Sequence, residues 1–329
     1  MVRRPRTPLI AFISAFPAPF IHDDADTLCT EFRVERLVGH GIIHALRTAG
    51  AVIRARVAFC WFASVYASIA ILTAVIFRRR SVIVLGGGDV ANDPDAHYGI
   101  WRSRWRRPLL RFAFKHADVI LAVDDTLRVE AMKRARYDGA NIDVLPTGFD
   151  AHFWKPGAPK EDFVLTVAAV RAPSRIRVKG LDTLIAAARR LPHVRFILVG
   201  LEPSLAADLR PPANLTCLDA MSRVELLRFY QRARIYCQPS RREGLSNALC
   251  EAMLCECIPV ATDVGGTAGA VGDTGFVVPA SDPVALADAV DAARSSSKEG
   301  AKARERVRAL FPKERRERRL KEVVRSLAG

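Results

Sequence analysis

Residues 163–200 read FVLTVAAVRAPSRIRVKGLDTLIAAARRLPHVRFILVG and contain the pattern that decides the fold. An apolar run of strand length opens the stretch, and RFILVG at 195–200 closes it. Apolar residues between them recur at helical spacing, namely Leu181, Leu184, Ile185, Ala188 and Leu191. Pro192 then ends the helix. A strand, a helix and a second strand in this order predict a βαβ unit with parallel strands.

The same alternation extends over most of the chain, so we predict an α/β fold with parallel sheets. The predicted strands are Leu9–Ser14, part of Ala51–Phe62, Ser81–Leu85, Val119–Val123, Phe163–Ala169, Arg195–Val199, Leu215–Leu218, Ile235–Gln238, Ile258–Ala261 and Gly275–Val278. At 329 residues the chain exceeds the size at which a single core usually keeps growing. Two Rossmann-like halves are therefore expected, with ligands bound beyond the carboxyl ends of the strands.

A segment rich in proline and charge, FWKPGAPKED at 153–162, interrupts the alternation near the midpoint and is typical of a linker. We predict a first domain over residues 1–155 and a second over 156–310. Residues 311–329 are predicted to form a basic helix that packs back toward the first domain. From Lys298 onward the chain has twelve Lys or Arg against five Glu, which indicates either a solvated amphipathic helix or a contact with phosphate or lipid.

The composition narrows the possible partners and compartments. Lys and Arg number 50 against 35 Asp and Glu, a net charge of +15, which favours an anionic substrate, a nucleic acid or an acidic membrane surface. Half of the residues are apolar, which excludes a mainly disordered chain. The seven cysteines are scattered and lie mostly in apolar runs. We therefore expect reduced thiols in the cytoplasm rather than disulfides or zinc ligands.

Two segments resemble membrane signals. Residues 57–77 carry no charge and are long enough to cross a bilayer. They divide naturally into a strand and a helix, however, and we predict an interior crossover helix. Residues 1–20 begin with arginines and an apolar run, as a secretory signal does, but Pro17 and Pro19 follow at once. We predict a first buried strand there.

The stretch PSRREGLSNALCEAMLCECIPVATDVGG at 239–266 carries a carboxylate in a loop and another in the helix that follows. Glu243 precedes Gly244, whose missing side chain lets backbone N–H groups approach a ligand closely. Ser246 is a plausible N-cap, which places Glu251 about one turn inside the helix. An ionised carboxylate only accepts hydrogen bonds, so Glu251 suits the hydroxyls of a ribose and Glu243 a sugar hydroxyl. Two exposed helix charges are the alternative interpretation.

A basic loop precedes the most clearly periodic helix. It runs from Val170 to Val178, and Lys179 and Gly180 open the helix. A lysine at the positive end of a helix is unfavourable by about a few tenths of a kcal/mol, but a phosphate bound there would reverse the sign. Candidate donors for a diphosphate in the loop are Arg171, Arg175 and Arg177. A solvated basic loop is the alternative.

Together these motifs resemble the donor-binding domain of glycosyltransferase family 4, the retaining GT-B enzymes. The motifs KGLDTLIAAARRLP, RFILVG, PSRREGLSNALCEAM, IPVATDVGG and GDTGFVVPASDPVALADAV occur in family order between Arg171 and Asp291. Upstream, ADVILAVDDT at 117–126 and IDVLPTGFDAHFWKP at 142–156 are similar to the family's interdomain segment. The resemblance covers the second half well and residues 81–156 moderately.

The resemblance implies a GT-B fold, in which two Rossmann-like domains face each other across a cleft and the second binds a nucleotide-diphosphate sugar. Lys179 and either Arg171 or Arg175 would neutralise the diphosphate. Glu251 would hold the ribose, and Glu243 with the neighbouring backbone would hold the donor sugar. The donor-binding positions implied are Arg171, Arg175, Lys179, Glu243, Gly244, Leu245, Ser246, Asn247 and Glu251.

The chain departs from the family pattern at four positions. The usual arginine five residues before the lysine is Ser174 here, and an interdomain asparagine is Thr147. Glu256 occupies a turn where the family commonly has glycine, so a left-handed backbone there would carry a strain of about 1 kcal/mol. Gly269 replaces an acid that often follows the paired glycines.

Glycosyl transfer leaves positive charge on the sugar and negative charge on the departing diphosphate, so cationic groups at the phosphates stabilise the leaving group. The resemblance implies front-face attack with retention and no metal, the leaving phosphate taking the acceptor's proton. On the acceptor side, GGGDVANDPDAHYG at 86–99 follows a predicted strand. The candidate catalytic residues are Asp89, His97 and Glu243. Turn chemistry is the alternative for Asp89 and His97.

Residues 96–117 contain no acid, and aromatic and basic side chains alternate there. We predict that Trp101, Arg104, Trp105 and Arg107 contact an anionic acceptor or membrane. A peripheral contact at the inner face of the plasma membrane would suit a lipid-linked acceptor.

The leading hypothesis is a retaining glycosyltransferase that moves a sugar from a nucleotide-diphosphate sugar to an acceptor hydroxyl, without a cofactor. Its product would belong to surface polysaccharide, lipopolysaccharide or glycolipid synthesis. A nucleotide-sugar epimerase of GT-B architecture is one alternative, recognised by product formation without an acceptor. A basic scaffold that binds membrane or nucleic acid is another. Apart from charge, however, the sequence has no nucleic-acid motif, and we expect no nucleic-acid partner.

Overall fold

The computed structural model describes residues 7–296 and 300–329, and the chain forms two compact units. The first unit comprises the chain up to Pro94, Gly99–Gly148 and Glu314–Gly329, and the second comprises Asp95–Tyr98 and Phe149–Lys313. Each unit has one six-stranded sheet, and all of its strand pairs are parallel. The prediction of an α/β fold with two Rossmann-like domains is therefore confirmed. The initial arginines, Arg3, Arg4 and Arg6, lie outside the described residues.

The strands, in chain order, are β1 Leu9–Ser14, β2 Arg33–Val38, β3 Val57–Trp61, β4 Arg80–Leu85, β5 Val119–Ala122, β6 Ile142–Val144, β7 Glu161–Val170, β8 Arg195–Leu201, β9 Leu215–Leu218, β10 Ala233–Gln238, β11 Ile258–Thr262 and β12 Phe276–Val278. The first sheet has the order β2-β1-β3-β4-β5-β6 and the second the order β12-β11-β10-β7-β8-β9. Strands β2 and β6 were not predicted from the sequence. Both are edge strands in which most residues are exposed or only partly buried, so they lack a continuous apolar run.

The helices that connect or flank these strands are α1 Pro19–Cys29, α2 Ile42–Arg54, α3 Val65–Ile76, α4 Arg106–His116, α5 Asp125–Ala135, α6 Pro173–Val178, α7 Leu181–Arg190, α8 Pro203–Leu209, α9 Arg223–Arg232, α10 Asn247–Leu254, α11 Thr267–Val271, α12 Pro283–Ser295, α13 Gly300–Leu310 and α14 Lys313–Ala328. In the second unit, buried apolar residues of the central strands pack against α7 and α12. All seven cysteines are free thiols, as predicted, and all but Cys29 and Cys217 are buried.

Residues 57–77 form β3 and the crossover helix α3, as predicted. Ser64 caps α3, and its Oγ accepts a hydrogen bond from the Ala67 N–H at 3.1 Å. The helix is not wholly interior, because Leu72, Val75 and Ile76 are exposed on its outer side. Within the described ranges, every helix is too short or too polar to cross a membrane.

The basic stretch after β7 is partly helical, whereas its sequence pattern predicts a loop. Pro173 occupies the first turn of α6, where its missing N–H costs no hydrogen bond. Lys179 is the C-cap of α6, and Gly180 is the N-cap of α7. Lys179 therefore lies at the negative end of one helix, where a cation is favourable, as well as beside the positive end of the next.

Candidate functional site

Two segments of the second unit carry the predicted donor-binding residues. One runs from the end of β7 through α6 to the start of α7, and the other joins β10 to α10. β7 and β10 are parallel neighbours in the sheet. Both segments therefore begin at the same edge, where the strands have their carboxyl ends and where open α/β sheets bind ligands.

Backbone contacts join the two segments. The Arg241 N–H donates to the Val178 carbonyl oxygen at 2.9 Å. Gly180 has a left-handed backbone with φ 63°, and a Cβ there would lie 1.8 Å from the Pro239 carbonyl oxygen. This close approach therefore requires glycine. The Arg241 guanidinium also pairs with the Asp182 carboxylate at 2.5 Å, which fixes the first turn of α7 to the second segment.

Lys179 and Glu243 form an ion pair at this junction. Lys179 Nζ lies 2.5 Å from Glu243 Oε1, and the two side chains are only 17% and 11% exposed. The same carboxylate oxygen accepts hydrogen bonds from Gln238 Nε2 at 3.0 Å and from Ser240 Oγ at 2.7 Å. Glu243 thus balances the lysine charge and is held by three donors at one oxygen.

A buried polar network that the sequence did not predict supports Glu243. Gln238 Oε1 accepts hydrogen bonds from Tyr236 and Ser246 hydroxyls, each at 2.9 Å. Gln238 Nε2 donates to Ser240 Oγ at 2.8 Å as well as to Glu243. Buried polar groups need such partners, so each member restricts the rotamers of the next. The available signal was the polar pair Gln238, the last residue of β10, and Ser240, which follows the apolar run Ile235–Cys237.

Glu251 and Asn247 both lie on α10. The hydroxyl of Ser246 caps this helix and accepts from the Leu249 N–H at 3.4 Å, which confirms the predicted N-cap. Tyr230 OH donates to Glu251 Oε2 at 3.2 Å. Burial, and then the neighbouring Glu251 carboxylate, hold the pKa of Tyr230 well above its ordinary value, so the phenol remains a donor. Asn247 Oδ1 is buried without a hydrogen-bond partner in the described part of the chain.

The paired glycines at 265–266 contact the turn before α10, in which Gly244 and Leu245 are buried. The Gly266 N–H donates to the Gly244 carbonyl oxygen at 2.9 Å. Gly265 has φ 54°, and a Cβ there would lie 2.2 Å from the Glu243 carbonyl oxygen. The backbone around Glu243 is thus set by two glycines more than twenty residues away in sequence.

The predicted arginines have other contacts. Arg171 is exposed after β7. The guanidinium carbon of Arg175 lies 5.1 Å from the centroid of the Tyr98 ring, a cation–π contact. Arg177 Nη1 donates to the Asp95 carbonyl oxygen at 3.4 Å. These contacts join Arg175 and Arg177 to the segment Asp95–Tyr98 rather than to the Lys179–Glu243 ion pair.

Asp89 is buried in the turn after β4. Its carboxylate accepts hydrogen bonds from the N–H groups of Gly87 at 2.7 Å, Gly86 at 3.2 Å and Ala63 at 3.3 Å. Burial outweighs these hydrogen bonds and raises the pKa of Asp89 to about 6. A carboxylate enclosed in this way orders the glycine turn, which is the alternative that the sequence analysis left open.

His97 belongs to the segment Asp95–Tyr98 of the second unit, whereas Asp89 belongs to the first. His97 has a left-handed backbone with φ 50°, which is uncommon for a residue other than glycine.

The predicted acceptor or membrane contacts separate into buried and exposed side chains. Trp101 is 2% exposed, and its indole N–H donates to the Asp89 carbonyl oxygen at 2.8 Å, so its predicted contact with a membrane is wrong. Arg107 is only partly exposed and donates to the Trp101 carbonyl oxygen at 2.9 Å. Arg104 and Trp105 are exposed, Trp105 by 60%.

The match to a known protein family lies within the second unit. Residues 162–295 match the family model for glycosyl transferases group 1. A D-inositol 3-phosphate glycosyltransferase from Mycobacteroides abscessus is 35% identical over 172 residues, which are 46% of this chain and 39% of that protein. The phosphatidylinositol N-acetylglucosaminyltransferase gpi3 subunit of Schizosaccharomyces pombe is 30% identical over 173 residues, covering 48% and 37%. The chain therefore spans less than half the length of these relatives.

Solved structures resemble the whole chain at low sequence identity. A sucrose-phosphate synthase from Thermosynechococcus elongatus has a TM-score of 0.77 at 17% identity and covers 98% of this chain and 99% of its own. Anabaena HepE in complex with UDP-glucose also has a TM-score of 0.77, at 14% identity, with coverage of 98% and 100%. These likenesses show the fold.

Proposed function

We propose that the protein is a retaining glycosyltransferase of family 4, because residues 162–295 match the family model for glycosyl transferases group 1 and the chain has the GT-B fold. It moves a sugar from a nucleotide-diphosphate sugar to an acceptor hydroxyl. The observation that carries this proposal is the Lys179–Glu243 ion pair, which joins loops from two neighbouring parallel strands. Groups for the diphosphate and for the sugar are thereby adjacent.

Lys179 is the proposed diphosphate ligand. Its charge is now balanced by Glu243, and its position beside the N-terminus of α7 gives an anion a second favourable interaction. A bound diphosphate shares the lysine with Glu243. One of Arg171 and Arg175 supplies further positive charge, and for Arg175 this requires release from the Tyr98 ring.

Glu243 and Glu251 are the proposed ligands of the two sugars. Gln238 and Ser240 hold one oxygen of Glu243, so a donor-sugar hydroxyl meets a carboxylate of fixed orientation. Tyr230 fixes Glu251 in the same way, and Glu251 accepts from the ribose hydroxyls. The buried, unpartnered Asn247 Oδ1, on the same helix, is available to a donor on the nucleotide.

The proposed chemistry needs positive charge where the leaving group departs. As the glycosidic bond breaks, the diphosphate gains negative charge, and Lys179 with the arginine stabilises it without a metal ion. The acceptor attacks from the face that the diphosphate leaves, and the departing phosphate oxygen takes the acceptor's proton, so the configuration at the anomeric carbon is retained. Glu243 positions the sugar during this step.

Two residues are considered for the acceptor side of the site. His97 is the proposed polar group or base there, since an imidazole ring can accept or donate a proton, and Asp89 shapes the glycine turn after β4. The two named relatives act on an inositol phosphate and on phosphatidylinositol. We propose a polysaccharide, lipopolysaccharide or glycolipid acceptor, used in the cytoplasm at the inner face of the plasma membrane.

Thermal unfolding with UDP-, GDP- and ADP-sugars tests the proposal. The correct donor is expected to raise the melting temperature, because a ligand that binds only the folded state stabilises it.

Lys179→Ala is expected to lower transfer by roughly 10²–10³-fold, the usual effect of losing one charge-stabilising group. Glu251→Ala is expected to weaken donor binding by roughly tenfold or more, since hydrogen bonds to charged groups contribute about 1.5–3 kcal/mol.

Lys302→Ala is the matched control, since Lys302 is an exposed lysine on α13 of the same unit. It is expected to bind donor and transfer sugar as the original protein does. If no nucleotide sugar shifts the melting temperature, or if Lys179→Ala and Lys302→Ala behave alike, the site assignment fails. Product formed without an acceptor would instead identify an epimerase.

A further inference from the structure

The first unit has an unusual outer surface on three neighbouring helices. α2 contacts α3, and α3 contacts α4. Of the eighteen large apolar side chains that are exposed among the described residues, ten lie on these helices or their caps. They are Ile42, Ile43, Leu46, Ile53, Leu72, Val75, Ile76, Phe77, Trp105 and Leu109. This set defines the α2–α4 face.

The exposed residues follow the helical repeat, so they form stripes rather than scattered points. On α2, Ile42, Leu46 and Ile53 recur at positions i, i+4 and i+11, and Ile42 and Leu46 are 81% and 69% exposed. On α3, Leu72 and Ile76 are separated by four residues. α2 and α3 thus bury one side against the sheet and present apolar residues to solvent on another, which a helix that needs only to pack on its own sheet does not require.

The charge on this face is of one sign. The sequence has no Asp or Glu between Glu35 and Asp89, and none between Asp95 and Asp118. Exposed arginines border the apolar stripes at Arg47, Arg78 and Arg104. The neighbouring carboxylates are already paired, Glu35 with Arg54 at 2.8 Å and Asp118 with Arg80 at 2.6 Å.

We propose that the α2–α4 face docks the protein on a bilayer containing anionic phospholipids. Apolar stripes bordered by arginines match the acyl and phosphate layers of such a surface, and Trp105 is the residue type that favours the boundary between them. A second copy of this chain is a poorer match, because a symmetric pairing would set arginines against arginines. This proposal rests on the membrane location given under the proposed function and deepens it, since it assigns the contact to a defined surface of the first unit, away from the donor-binding residues.

Vesicle flotation tests the proposal with the full chain. The protein is expected to float with vesicles of phosphatidylcholine and phosphatidylglycerol, and much less with vesicles of phosphatidylcholine alone. Replacing Ile42, Ile43 and Leu46 together by serine is expected to weaken binding by roughly tenfold or more, because each exposed apolar side chain that enters the interface contributes. Arg47→Gln is expected to weaken binding to the anionic vesicles by roughly fivefold.

Val224→Ser with Val284→Ser is the matched control, because both valines are exposed on helices of the second unit, by 57% and 43%. This variant is expected to float normally. Failure of the original protein to float, or an equal loss in both variants, would overturn the proposal. So would a concentration-dependent dimer, seen by size-exclusion chromatography, that the α2 variant abolishes. The melting-temperature shift with a nucleotide sugar should be the same in all variants, so the two proposals fail independently.

Discussion

The buried residue Asp89 is expected to make the free energy of unfolding depend on pH. Its pKa is about 6 in the folded protein, raised by burial from an ordinary value of 3.8. Between these two values the folded state binds more protons than the unfolded state, so this group lowers the free energy of unfolding as pH rises from about 4 to about 6. The total effect is on the order of a few kcal/mol. Asp89→Asn cannot titrate and is expected to lack this contribution.

Denaturant midpoints measured across the pH range give the comparison. Other groups titrate in both proteins, so the difference between Asp89→Asn and the original chain isolates Asp89. That difference should grow in favour of the variant from pH 4 to pH 6 and then level off. A constant difference would show that the carboxylate is not held in a desolvated state.

The charged residues of the candidate site were predictable from the sequence, whereas the buried polar residues that hydrogen-bond to them were not. Lys179 was recognisable because it precedes Gly180 at the start of a clearly periodic helix, and Glu243 because it precedes Gly244 in the loop before another. The structure joins the two side chains in an ion pair. Gln238 is also buried and donates to Glu243, but a glutamine at a strand end is a weak signal, because surface positions carry glutamine as well. Trp101 failed for a related reason, since its alternation with arginines resembles an interface although its ring is buried.

Glu256 follows the C-cap of α10 and has the left-handed backbone considered from the sequence. It has φ 65°, and its N–H donates to the Met253 carbonyl oxygen at 3.0 Å. The Cys257 N–H donates to the Ala252 carbonyl oxygen, also at 3.0 Å, which completes a Schellman motif. Glu256→Gly removes the left-handed strain of about 1 kcal/mol, partly offset by the greater entropy of glycine in the unfolded chain. A net stabilisation of under about 1 kcal/mol is expected.

Glu256→Ala separates the backbone effect from the loss of the carboxylate, because alanine keeps the same strain. Thermal unfolding of the three proteins should place the glycine variant highest and the alanine variant close to the original. Equal stabilisation by glycine and alanine would mean that the carboxylate, and not the backbone, is unfavourable at this position.

Element boundaries were predictable where burial produced a continuous signal. The central strands are mostly buried and each contains an apolar run, and their predicted limits differ little from those observed. β2 reads RVERLV, whose charges conceal a parallel edge strand, because only one of its six residues is buried. α6 was hidden by its arginines, although Pro173 at its start is a usual helix-opening signal.

The first unit is discontinuous in sequence, because it contains both the N-terminal part of the chain and its last residues, 314–329. Arg316 of α14 forms a buried ion pair with Asp24 of α1. Its Nε and Nη2 pair with both carboxylate oxygens of Asp24 at 2.7 and 2.6 Å, and its Nη1 donates to the Leu145 and Pro146 carbonyl oxygens at 3.0 Å. Trp61 Nε1 donates to the same carboxylate at 2.8 Å. Both charged side chains are 5% exposed.

This arrangement predicts strong coupling between the first and last helices of the first unit. Arg316→Met leaves the Asp24 carboxylate buried without its cation and is expected to cost about 3–5 kcal/mol of unfolding free energy. Asp24→Asn with Arg316→Met removes both charges, keeps an acceptor for Trp61 and should cost clearly less than the single Arg316 change. Hydrogen exchange of the α1 and α14 amides measures the effect locally, and protection should fall together in both helices for the single variant. If the double variant were as unstable as the sum of the two single ones, the pair would be uncoupled, and other contacts of the last helix, such as the Arg325–Glu31 ion pair, would hold it in place.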